Sequence, residues 1–197
     1  SAWPGQGPVI QEWRRLDAAG ELTGSAQLFM RDSKPVEELY DTQNDPYELR
    51  NLVNSQEHAS ILQRLRKAHE DWVSETHDIG FLHESEMHLR AERNNTTPFA
   101  LAQDPQLYSQ ERILEAARLV GQDQEMLPAM VQALNDPESG VRYWGAVALE
   151  ALGSEAVQAM DALQQALEDP SPAVRFTAAG ALCQLGLSRD ALPILEA

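Results

Sequence analysis

Lysine and cysteine are nearly missing from this chain: Lys34 and Lys67 are the only lysines, and Cys183 is the one cysteine. A single cysteine rules out an intrachain disulfide and leaves the redox compartment open. Positive charge is scarce altogether, with 15 Lys plus Arg against 31 acids and a formal net charge of -16. That balance argues against nucleic acid and against anionic membrane surfaces as partners, since both require clustered basic charge. The acid excess is read as a solubility feature. Long apolar runs are lacking too, and no stretch approaches the ~18 residues that a membrane helix needs. Ser1-Ala2-Trp3-Pro4-Gly5 has neither the basic region nor the apolar core of a secretory signal. No phosphate loop, dinucleotide fingerprint or nucleophile elbow occurs. What is left is 197 residues, 43% hydrophobic and 23% charged, enough for one or two domains with a real core.

In chain order, Trp3-Pro4-Gly5-Gln6-Gly7-Pro8 is a Gly/Pro-rich lead-in. Ile10, Trp13 and Leu16 or Arg14 follow at helical spacing, with Gly20 as a stop. A short helix over 23–30 would turn Ala26, Phe29 and Met30 inward. From Asn54 or Ser55 the pattern is strongly helical: Ile61, Leu65, Ala68 and Trp72 form a stripe that Leu62 and Val73 broaden. That helix ends near Glu75 to Asp78. Residues 77–98 are polar and uneven, and Asn94-Asn95-Thr96-Thr97-Pro98 reads as a loop and a domain boundary.

The most informative stretch of the first half is Glu38 to Leu52. Glu38-Leu39-Tyr40 reads as a short strand, and Asn44-Asp45-Pro46 as a turn. Asp45 is expected to cap a helical turn that starts at Pro46, its carboxylate accepting an N–H near Tyr47 or Glu48, with Glu48 three residues after the cap. The residues that carry this structural motif are Tyr40, Asp41, Asp45, Pro46, Glu48 and Asn51. The pattern E-L-Y-D-x-x-x-D-P-x-E-x-x-N-L resembles the C-terminal subdomain signature of the type I sulfatases. The resemblance extends upstream through Gln11 to Leu16 and Lys34-Pro35, and covers roughly the first 80 residues. It implies a small α+β piece of a sulfatase C-terminal subdomain.

The second half repeats itself. Asp136-Pro137 recurs as Asp169-Pro170, Val141-Arg142 as Val174-Arg175, Ala148-Leu149 as Ala181-Leu182 and Leu152-Gly153 as Leu185-Gly186, all offset by 33 residues. A weaker copy places Val120-Gly121 32 residues before Leu152-Gly153. A period in the thirties with two helices per unit indicates an α-solenoid. The pattern D-P-x-x-x-V-R-x-x-A-x-x-A-L-x-x-L-G resembles HEAT repeats, above all the short form of phycobilin-lyase-like repeat proteins. Gly145, Ala146 and Ala148, and then Ala178, Ala179 and Ala181, keep the second helix of each unit slim, and Gly153 and Gly186 cap it. Asp136, Arg142, Asp169 and Arg175 are expected to form an Arg–Asp ladder that holds the repeats in register. The chain stops within what should be a first helix, so it is read as a fragment whose array continues or leans on another domain.

A mainly α fold results: the end of a sulfatase C-terminal subdomain over 1–80, a polar connector over 81–98, and a short HEAT-type α-solenoid over 99–197. The resemblance implies a parent that hydrolyses sulfate esters or sulfamates on a carbohydrate, with calcium and a formylglycine made from the first position of C/S-x-P-x-R, in the periplasm or exported. None of that machinery is in this chain. Cys183 is followed by Gln184-Leu185 rather than the required proline, and Ser33-Lys34-Pro35-Val36-Glu37 ends in glutamate. No catalytic, cofactor-binding or metal residue is therefore assigned here, and the chain alone is expected to be inactive. Its role would be to buttress the missing catalytic domain of the same polypeptide. The alternative is a stand-alone HEAT scaffold with a protein partner on the repeats. Cys183 reads as a small core residue, and His77, Asp78, His83 and His88 as surface residues rather than a metal site. Trp13, Trp72 and Tyr40 read as core anchors, while Trp3 and Trp144 are candidates for an interdomain or partner contact.

Overall fold

The computed structural model describes residues 7–31 and 33–195, which leaves Trp3 outside the described residues. Among the described residues the chain is mainly helical and contains no strand. It divides into two compact units, Ser1–Arg64 and Leu65–Ala197.

The first unit carries little regular structure. Helix α1 (Pro8–Ala18) opens with proline in its first turn, and Gly20 follows it at φ 70°, a left-handed conformation that suits glycine. Helix α2 (Ala26–Phe29) is shorter than expected, and Phe29 is 64% exposed rather than turned inward. Its ring meets the half-buried Trp13 edge-on at 5.4 Å. Among the described residues only Leu22 and Leu39 are buried there.

Glu38-Leu39-Tyr40 is extended but is not a strand. A strand needs a ladder, and here the Leu39 carbonyl accepts from the Leu52 N–H (2.7 Å) while its own N–H goes to a side chain, Asn51 Oδ1 (3.0 Å). The helical turn at Pro46 is likewise replaced by a β-turn, Glu48 N–H to Asp45 C=O (3.1 Å). Glu48 then takes φ 54°, which a helix cannot continue through. The Asp45 carboxylate accordingly accepts from the Arg50 N–H (2.7 Å) and not from the N–H of Tyr47 or Glu48.

A 3₁₀ turn (Gln56–His58) leads into α3 (Ala59–Glu75). Its apolar face is not where the spacing placed it: Ile61, Leu65 and Trp72 are 40%, 48% and 56% exposed, whereas Val73 is 1% exposed. Periodicity shows that a helix has an apolar stripe and says nothing of what covers it. Trp72 is thus no core anchor.

The second unit is built of helices around two adjoining cores. After α3 come α4 (Glu84–Arg93), α5 (Pro98–Ala102) and α6 (Gln110–Ala117). Then α7 (Leu127–Leu134) pairs with α8 (Ser139–Leu152), and α9 (Met160–Ala166) with α10 (Pro172–Gln184), against which α11 (Ser188–Leu195) packs. The turns between partners fall at Asp136-Pro137 and Asp169-Pro170, where proline cannot extend the preceding helix. Leu149, Leu163, Val174 and Leu182 are fully buried between the pairs, each worth about 1.5–3 kcal/mol in burial. The approach of α7 to α8 depends on Gly145, where a Cβ would lie 2.5 Å from the Leu134 backbone nitrogen. The segment read as a polar connector, 81–98, is folded: α4 lies within it, with Glu86 and Ala91 buried and Leu82 in the core.

Candidate functional site

In the first unit Asn51 organises the motif. Its Oδ1 accepts from the N–H groups of Leu39 (3.0 Å) and Val53 (3.0 Å), and its Nδ2 donates to the Glu37 carbonyl (3.3 Å). One amide thus sews the extended segment to the return of the chain. Asp41 turns the corner between them. Its Oδ1 accepts from the Gln43 and Asn44 N–H groups, and its Oδ2 from Asn44 Nδ2 at 2.7 Å. The Asn44 side chain and N–H, helped by the Gln43 N–H and nearby His58, hold the Asp41 carboxyl below the usual range. Tyr40 is half-buried, and burial followed by the charge of Glu38 pushes its hydroxyl up. Pro46 and Glu48 shape the turn without reaching a common point with Asp41. These residues hold a loop, and Tyr40, Glu48 and Asn51 among them line a cleft of about 660 Å³ whose walls also include Phe29, Arg31, Lys34 and Leu49.

In the second unit the four ladder residues do meet, in a staggered way. Arg142 places Nε and Nη2 on the two oxygens of Asp169 (2.7 and 2.9 Å), one repeat ahead, and Nη1 on the carbonyls of Asp136 (2.9 Å) and Pro137 (3.0 Å) in its own repeat. Arg175 repeats the second half of this, donating to the carbonyls of Asp169 (2.7 Å) and Pro170 (3.3 Å). The Asp136 carboxylate is taken by Arg112, at 2.6 and 2.7 Å. Each aspartate also receives a backbone N–H two residues on, from Glu138 or Ser171 (2.8 Å each), so it opens the next helix as well. The Arg142 rung therefore fastens one repeat to the next by a two-pronged charged pair, while Arg112 meets both Asp136 oxygens through one nitrogen and Arg175 stays within its own repeat.

Arg112 escaped the spacing because its repeat is two residues shorter: Arg112 lies nine residues before Gly121, whereas Arg142 and Arg175 lie eleven before Gly153 and Gly186. A second network also escaped it. Glu86, 8% exposed, accepts from Ser139 Oγ (2.5 Å) and Arg90 Nε (3.1 Å) on one oxygen and from Ser171 Oγ (3.0 Å) on the other. Arg90 continues to the Leu107 carbonyl (2.9 Å), to Ser139 Oγ (2.7 Å) and to Glu138. Burial works against the charge of Glu86, but hydrogen bonds from Ser139, Arg90 and Ser171 outweigh it and keep the carboxyl below its usual range.

The histidines are not brought together. His77 lies two residues past α3 at φ 50°, His83 caps α4 through the Ser85 N–H (3.2 Å), and His88 faces Glu84 at 3.7 Å. Among the described residues no three His, Cys, Asp or Glu side chains could hold a metal. Cys183 is half-buried beside the core of the repeats. Trp144 is engaged within its own unit, donating its indole N–H to the Phe81 carbonyl at 2.7 Å. Among the described residues no helix is long and apolar enough to cross a membrane.

The staggered ladder is the geometry expected of stacked helical pairs, and comparison with known families agrees. The PBS lyase HEAT-like repeat matches residues 141–169, and the HEAT repeat matches residues 159–188. This part of the chain carries HEAT repeats. The HEAT repeats thus include α8, α9 and α10, with the Arg142–Asp169 rung between them. A distant, partial relative is the ulvan-active sulfatase of Formosa agariphila, 42% identical over 80 residues, which cover 41% of this chain and 13% of that enzyme. The match therefore spans a small fraction of that relative's length. No solved structure matches the chain.

Proposed function

We propose that this chain is the non-catalytic C-terminal region of a sulfatase-type hydrolase, in which residues 1–80 end the small subdomain and 99–197 form the repeats. The observation that carries it is the 42% identity over 80 residues to an ulvan-active sulfatase, as many residues as the segment that contains the Glu38–Leu52 pattern. The exposed side chains of Val9, Phe29, Val36, Tyr47, Ile61, Leu65 and Trp72 support it, as apolar surface that another domain would cover. On this reading the missing catalytic domain is the main partner and this region buttresses it. The parent supplies the calcium and formylglycine, cleaves a sulfate ester or sulfamate of a carbohydrate, and is periplasmic or exported. The chain by itself is inactive, because it holds no nucleophile and no concentrated positive charge for a sulfuryl-transfer transition state.

The coding sequence upstream of Trp3 tests this, together with turnover of a chromogenic aryl sulfate. C/S-x-P-x-R upstream and no turnover by the chain are expected. An upstream sequence without that motif overturns the sulfatase assignment, and calcium-dependent turnover by the chain overturns the location of the chemistry. The HEAT repeats themselves favour a second reading, a scaffold that binds a protein on its repeat surface.

A further inference from the structure

The Glu150 carboxylate on α8 has no hydrogen bond or ion pair among the described residues, although it is half-buried in a unit whose other buried acids are all paired. It lies over the bare backbone of α10 at Gly180, where a Cβ would come within 2.5 Å of its Oε1. One turn earlier on α10, Phe176 is 44% exposed. Two turns earlier on α8, on the same face as Glu150, is the half-buried Tyr143. Its ring is held by the edge of His83 at 5.2 Å and by Trp144 at 5.4 Å. Tyr143 and Phe176 occupy equivalent positions in successive repeats, as do Val147 and Gly180, so the Glu150 carboxylate rests on the glycine where the other repeat carries a branched side chain. Burial alone pushes the Glu150 carboxyl up, and burial with the charge of Glu150 does the same to Tyr143.

We propose that Glu150, Gly180, Tyr143 and Phe176 form a cradle for an arginine side chain presented by a partner protein. The chemistry selects that occupant. An unpaired carboxylate with little solvent gains most from a planar, two-pronged cation, and the guanidinium is weakly hydrated enough to enter and to stack on aromatic rings. The absent side chain at Gly180 lets the carboxylate lie close to the helix backbone, between the two aromatic positions. The net charge of -16 draws a basic segment to this surface. Nearly every other arginine near the repeats is engaged, Arg112, Arg142 and Arg175 by the ladder and Arg90 by Glu86, so the chain does not supply the cation here itself. This inference rests on the repeats and is independent of the sulfatase assignment.

The test is an NMR titration of the full chain with acetyl-arginine amide, and in parallel with the neutral isostere acetyl-citrulline amide and with acetyl-lysine amide. Shifts of the Tyr143, Glu150, Phe176 and Gly180 amides with the arginine probe, absent with citrulline, are expected. Glu150→Gln removes an unpaired charge and leaves the fold intact, and it should weaken the response about tenfold or more. Gly180→Ala, whose methyl would displace the Glu150 carboxylate, should also abolish it, and Glu150→Gln with an unchanged spectrum elsewhere excludes unfolding as the cause. Shifts scattered over the surface, an equal response to citrulline, or full binding by Glu150→Gln overturns the cradle. An equal response to the lysine probe overturns arginine as its occupant.

Discussion

Replacing Arg142 by alanine isolates the interior rung of the ladder. The guanidinium makes four hydrogen bonds there, two to the Asp169 carboxylate at 2.7 and 2.9 Å and two to carbonyls at 2.9 and 3.0 Å. The side chains of the pair are only 15% and 9% exposed, so water does not replace what is lost. Asp169 would keep the Ser171 N–H alone, with its charge otherwise unanswered. Breaking a buried pair on one side costs about 3–5 kcal/mol. Arg142→Lys retains the charge but not the fork, and loses at least one charge-assisted bond, about 1.5–3 kcal/mol. The outer rung is the control: Arg112 and Asp136 are 49% and 23% exposed, and such pairs contribute about 0–1 kcal/mol. Urea titrations of the three variants, with the slope unchanged, should rank Arg142→Ala well below Arg142→Lys, and Arg112→Ala near the parent chain. A midpoint for Arg142→Ala no lower than that of Arg112→Ala would refute the assignment of register to the buried rung.

Three other outcomes follow from the same geometry. Gly145→Ala should lower the melting temperature by the equivalent of about 1–3 kcal/mol, since the Leu134 backbone at 2.5 Å has no side-chain freedom to give way; an unchanged melting point would contradict that approach. Asn51→Ala strips partners from the Leu39 and Val53 N–H groups and from the Glu37 carbonyl, so limited proteolysis should cut faster between 37 and 53. Glu86 has a carboxyl depressed below the ordinary 4.5, so its contribution is full above that pH and fades as pH falls through the lower folded value. The stability gap between the chain and Glu86→Gln should therefore be constant near neutrality and shrink below about pH 4.5; a gap that widens on acidification would reverse the reasoning.

The repeats were legible because a 33-residue offset fixes both Asp-Pro turns and the residues that follow them, and the turns pin the helices. Asp136, Arg142, Asp169 and Arg175 could be named on that basis. That the carboxylate partner of Arg142 lies one repeat ahead could not, since it depends on how far the arginine reaches across the stack. Glu86 was illegible for another reason: an isolated acid in a polar stretch looks like a solvated one until the serines that lead α8 and α10 are set beside it. In the first unit, Asn51 was identified as a motif residue but its task was not. The strand and the helical turn are propensity readings, and both lose to hydrogen bonds that backbone N–H groups donate to the Asn51 and Asp45 side chains, which satisfy the backbone without a ladder.

Glu86 bears on how the repeats come apart. Stacked repeats ordinarily fray from an end, one unit at a time, because each touches only its neighbours. Here one carboxylate holds Ser139 and Ser171 at once, thirty-two positions apart in the chain. Fraying that begins at α11 and loosens α10 must strand one oxygen of a buried anion before α8 is touched. Partial opening is thereby penalised relative to opening both helices together. Amide protons at the leading turns of α8 and α10 should then exchange with a common free energy, as a single cooperative block rather than as a gradient toward the C-terminal end.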